Sequence, residues 1–130
     1  MVRLNIHDII KYIKSLNRVG CSAFKFISQT ELINQYRNTD FTLVEDLSYD
    51  SKLVNWENIK DYSPNITLKI DRKIKDKKLN LYYKNVVYND VLKNPVVIGH
   101  QGLVIDGYHR LKNIQINKLS FNAWIATNYK

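Results

Sequence analysis

The densest chemistry in the chain lies in five consecutive residues, Asp106-Gly107-Tyr108-His109-Arg110. An apolar run, Leu103-Val-Ile105, precedes them, and Leu111 and Ile114 follow at helical spacing, so the segment reads as a strand, a sharp turn and a helix start. A helix N-terminus offers backbone amides and the positive end of the helix dipole, which suits a phosphate. Gly107 lets the backbone turn tightly and lets a ligand approach closely. His109 and Arg110 would add donors in the first turn. Cations there oppose the dipole, and a bound anion would offset that cost. The candidate phosphate-binding residues are therefore Asp106, Gly107, Tyr108, His109 and Arg110. The alternative is an ordinary helix-initiating turn in which Arg110 pairs with Asp106 and His109 is a half-buried histidine.

The surrounding elements must hold this turn. Pro95-Val-Val-Ile98 and Leu103-Val-Ile105 flank the turn Gly99-His-Gln-Gly102 and predict a β-hairpin. Residues 108–116 predict a helix with Leu111 and Ile114 inward. Residues 119–126 predict a closing strand in which Phe121, Ala123 and Ile125 alternate with Asn122 and Trp124.

Upstream, Ile6, Ile9, Ile10, Ile13 and Leu16 predict a helix over 5–17, with Asn5 as N-cap, Asp8 in the first turn and Gly20 closing it. Residues 23–27 alternate and predict a short strand. Ser28-Gln-Thr-Glu31 is a capping box, with Ile27 and Leu32 placed for a hydrophobic staple, and opens a short helix to about Arg37. Phe41–Val44 predicts another strand. A helix-turn-helix is disfavoured, because that motif joins its helices by three or four residues. Residues 45–52 are polar and acidic and mark a candidate boundary. On that division, 1–49 is a small α/β appendage and 50–130 the main domain, unless the two form one continuous compact unit. Ile66, Leu68 and Ile70 predict a half-buried strand after the Ser63-Pro64-Asn65 turn. Residues 79–92 fit a helix or a strand equally well.

The chain's 130 residues allow one ordinary core. A single cysteine, Cys21, excludes an intrachain disulfide framework and a cysteine-rich zinc site. His7, His100 and His109 have no metal-ligand spacing, so no metal site is expected. The N-terminal residues lack the apolar stretch of a signal peptide, no run is long enough to span a bilayer, and a cytoplasmic location is expected. Residues 1–61 carry eight Lys/Arg and eight Asp/Glu, whereas 62–130 carry twelve against four, so the whole net charge of +8 lies in the second half. Lys69 to Lys78 alone holds six cations. Such a field would attract nucleic acid, a phosphorylated ligand or an acidic protein partner. Abundant Asn, Ile and Lys fit an AT-rich genome, and with it a phage or mobile-element accessory protein.

Taken in order, Pro95-Val-Val-Ile98, Gly102-Leu-Val-Ile-Asp-Gly-Tyr-His-Arg-Leu111 and Leu119-Ser-Phe-Asn-Ala-Trp-Ile125 resemble the ParB/sulfiredoxin-like superfamily. The resemblance covers about 95–126 and extends to Leu53-Val-Asn-Trp-Glu-Asn-Ile59, which looks like the family's opening strand. It implies a compact α/β (α+β) domain that holds a nucleotide's phosphates at the helix start, with a nucleoside triphosphate or diphosphate and Mg²⁺ as cofactors. For an enzymatic member, a phosphotransferase, hydrolase or nuclease, it implies an upstream carboxylate as base, for which Glu57 and Asp61 are the candidates. Tyr108 stands where sulfiredoxins place their reactive cysteine, which argues against that chemistry. The lack of a helix-turn-helix argues against a complete partitioning protein. The competing function is a non-catalytic module that binds nucleic acid or protein through its basic half.

Overall fold

The structure, a computed structural model, describes residues 3–16, 23–24, 27–59 and 93–127. The charge run at 69–78, the strand expected at 66–70, the ambiguous 79–92 segment, Asp61, Gly20 and Cys21 lie outside the described residues.

The described chain is mixed α/β. In order it forms β1 (Arg3–Leu4), α1 (Ile6–Ser15), α2 (Gln29–Gln35), β2 (Phe41–Leu47), a 3₁₀ turn (Trp56–Ile59), β3 (Val96–Ile98), β4 (Val104–Asp106), α3 (Tyr108–Asn117) and β5 (Phe121–Ala126). One five-stranded sheet has the order β1-β2-β5-β3-β4. Among the described residues, only the β3–β5 pairing is parallel. Strands from before residue 50 and after residue 95 thus share one sheet, with β2 hydrogen-bonded to β5 along most of its length. The acidic stretch that begins at Glu45 is the end of β2. Its register shifts between Val44 and Leu47, where Asp46 has a positive φ and its amide bonds to the Asn122 side chain.

Helix formation follows the local chemistry. Asn5 Oδ1 accepts from the Asp8 amide at 2.9 Å, capping α1. The isoleucines at 6, 9, 10 and 13 are all buried on one face. The helix ends at Ser15, earlier than the apolar spacing predicts, with Leu16 extended. Ser28 caps α2 through the Glu31 amide at 3.2 Å, as the capping box requires.

Each sheet face carries its own core. One contains Ile9, Ile13, Leu32, Tyr36, Phe41, Val97, Ile105 and Trp124, covered by α1 and α2. The other contains Ile59, Val96, Ile98, Val104, Leu111, Ile114, Phe121 and Ala123, covered by α3 and the 3₁₀ turn. Covering both faces explains why β3 is apolar at every position, and why Trp124 is buried although it alternates with Ala123.

Two expectations fail. Residues 23 and 24 form a turn instead of a strand, with Phe24 at φ 56°. Leu53–Ile59 is a turn leading into a 3₁₀ turn, not an opening strand. Local hydrogen bonds fix it: Asn55 Oδ1 accepts from the Glu57 amide and the Trp56 indole donates to Ser51 O. The Asn55 amide donates to Gly102 O, which ties this turn to the β3–β4 connection.

Candidate functional site

The five residues singled out by the sequence sit at the β4–α3 junction. Asp106 is the last residue of β4, Gly107 the N-cap and Tyr108 the first residue of α3. Gly107 has φ 109° and ψ 26°, a left-handed conformation that glycine adopts at little cost. A Cβ there would lie 2.5 Å from Val96 Cγ1, so the backbone also passes β3 too closely for any side chain. Gly107, the N-cap, has no side chain with which to cap α3. Its first intrahelical bond runs from the Leu111 amide to Gly107 O at 2.8 Å, and the amides of residues 108–110 lie ahead of that bond.

Arg110 does not face outward. It is 4% exposed. One terminal nitrogen donates to Asp106 Oδ2 at 2.6 Å, while the other donates to Asn94 O at 2.9 Å and to Pro95 O at 2.7 Å. This buried ion pair staples the end of β4 to the entrance of β3. The Arg110 guanidinium, expected to line a phosphate pocket, is thus engaged by Asp106 and two backbone carbonyls. Its charge next to the helix start is balanced by Asp106, so the opposition to the helix dipole needs no bound anion.

His109 is half-buried, its Nδ1 is shielded from solvent, and its carbonyl accepts from Asn113 Nδ2 at 2.7 Å. Tyr108 packs against the α3-side core. Burial raises the pKa of its hydroxyl above the ordinary phenol value, so it stays protonated and can donate throughout the neutral range. Glu57, a candidate base, is exposed on the 3₁₀ turn. Among the described residues, no group of three or more His, Cys, Asp or Glu side chains could hold a metal ion. No described helix is long and apolar enough to cross a membrane.

A second polar cluster escaped sequence reasoning. The Tyr36 hydroxyl accepts from the His100 amide at 3.1 Å, the two rings lie 4.4 Å apart, and His100 Nε2 is 3.3 Å from Thr39 Oγ1. Gly99 makes room for it, since a Cβ would fall 2.0 Å from the Tyr36 hydroxyl oxygen. Burial lowers the His100 pKa. The signal available in the sequence was the Gly99-His100 pair inside a short hairpin turn.

No protein-family model, no curated protein and no solved structure matches the chain.

Proposed function

We propose that the chain binds the phosphate group of a nucleotide or another phosphorylated ligand at the β4–α3 turn, without the Asp106–Arg110 pair taking part in catalysis. The observation that carries this reading is the start of α3. A left-handed glycine, which offers no capping side chain, leads into the helix directly after a buried strand. The positive end of a ten-residue helix thus begins at a residue with no side chain of its own. The resemblance of 95–126 to the ParB/sulfiredoxin-like superfamily supports the same position.

In this reading Gly107 gives close approach, the amides of Tyr108 and His109 hold the anion, and the Tyr108 hydroxyl donates. Arg110 and Asp106 brace the turn and do not touch the ligand. Their mutual bond favours binding over phosphoryl transfer, because the Asp106 carboxylate is buried and engaged by the guanidinium. Any Mg²⁺ would arrive on the ligand's phosphates. The excess of cations after residue 61 would add a general attraction for polyanions, nucleic acid included.

A thermal-shift panel of nucleoside mono-, di- and triphosphates, with and without Mg²⁺, tests the proposal. A ligand at about 100 times its Kd stabilises by roughly 2.7 kcal/mol and raises the midpoint by mass action. Selective stabilisation by phosphorylated members over the matching nucleosides is expected. No difference between nucleoside and nucleotide refutes it.

A further inference from the structure

The Pro95 carbonyl, at the entrance to β3, accepts from both layers of the fold. From α1, Tyr12 Oη donates to it at 2.5 Å. From α3, Arg110 donates to it at 2.7 Å. Tyr12 packs with the core on the α1 and α2 face, whereas α3 packs on the opposite face. The same guanidinium bonds Asn94 O and Asp106 Oδ2. A continuous chain of hydrogen bonds thus runs from α1, through the β3 entrance, to the residue that precedes Gly107.

We infer that Tyr12 is a positioning residue for the β4–α3 turn, acting through the Pro95 carbonyl and Arg110. The physical reason lies in what else could fix the guanidinium. Asp106 is fixed in β4 by its pairing with Val97, whereas Arg110 lies beyond the left-handed Gly107, so the orientation of the α3 start relative to the sheet depends on what holds the guanidinium. The two carbonyls are the side-chain contacts that tie Arg110 to the entrance of β3. Of these, Pro95 O is itself held from the far side of the sheet, by a phenol anchored in a packed helix. Removing that phenolic hydroxyl leaves the Asp106–Arg110 pair intact but frees its point of attachment. A change on the α1 face would then alter how well the turn is ordered, and whatever the turn binds.

Tyr12→Phe deletes the one hydroxyl and keeps the ring. Amide hydrogen exchange is read at Leu111, whose N–H bonds Gly107 O, and compared with the slowest core amides of the same protein. The expected result is exchange at Leu111 about three- to ten-fold faster than the core change accounts for, the range of one net hydrogen bond. Exchange at Leu111 that merely follows the core overturns the inference. Should Tyr12→Phe not fold, Arg110→Lys is read from the other end. It keeps the charge and loses the fork, and the ring resonances of Tyr12 must shift; unmoved resonances overturn the inference. A binding arm, which rests on the proposed phosphate site, uses inorganic pyrophosphate. The coupling predicts weaker binding to Tyr12→Phe by about the same factor as the exchange change, and equal affinity in both proteins overturns it. If pyrophosphate binds neither protein, the phosphate site is refuted, and the exchange result alone decides the coupling.

Discussion

Arg110→Ala exposes the central structural argument to a stability measurement. The guanidinium is almost fully buried and bonds two backbone carbonyls and one carboxylate. Truncation leaves the Asp106 carboxylate, itself 5% exposed, without its countercharge. Removing one partner of a buried ion pair costs about 3–5 kcal/mol. Domains of this size hold about 5–15 kcal/mol in all, so the variant should be marginal. In urea, with a slope of about 1–3 kcal/mol per molar, the midpoint should fall by on the order of 2 M. The double variant Asp106→Leu/Arg110→Met replaces charge with apolar volume and should recover much of the loss. A cost below about 1 kcal/mol for Arg110→Ala, at an unchanged slope, would refute the reasoning. It would mean that the pair behaves as a solvated surface bridge.

Gly107→Ala should destabilise by about 1–3 kcal/mol from the left-handed backbone alone, and by more from the contact with Val96. A chemical denaturation curve within about 0.5 kcal/mol of the parent would contradict the close approach. Gly99→Ala collides with the Tyr36 hydroxyl, so a double-mutant cycle with Tyr36→Phe should be non-additive, the second change relieving part of the first; strict additivity would count against the contact. His100 has a pKa lowered by burial, so the unfolded chain takes up its proton first. Its stabilising contribution is complete above its ordinary value of 6.5 and is lost as pH falls from there towards the lower folded value. Urea stability measured between pH 7.5 and 5 should decline, with a smaller decline in His100→Gln; identical profiles would rule out His100 as the source.

The sequence was most legible where side chains act on their own backbone. Asn5 and Ser28 announced the two helix starts because a cap is a contact over three residues. The β3–β4 hairpin and α3 followed from apolar runs broken by glycine. Elsewhere the outcome turned on particular hydrogen bonds and pairings. Leu53-Val-Asn-Trp56 carries strand-like composition, but Asn55 and the Trp56 indole satisfy the backbone locally and curl it into a turn. The polar residues from Glu45 onward read as a boundary, yet pairing with β5 keeps Glu45 to Leu47 in the sheet. At the site, the sequence identified the strand-to-helix junction and the need for Gly107. It could not say which way Arg110 points. A guanidinium four residues after an aspartate can serve an anion or that aspartate, and the Asn94 and Pro95 carbonyls, 16 and 15 residues before Arg110, decide the matter by offering acceptors on the inner side.

The claim that the β4–α3 turn receives a phosphate group is tested most directly by following backbone amide resonances during a titration with nucleoside diphosphate. The amides of Gly107, Tyr108, His109 and Arg110 should shift first and furthest, saturably and with a single Kd, while those of the Arg110 side-chain contacts at Asn94 move little. Saturable binding that shifts other amides and leaves the four at 107–110 unmoved, or no saturable shift at all, would contradict the account.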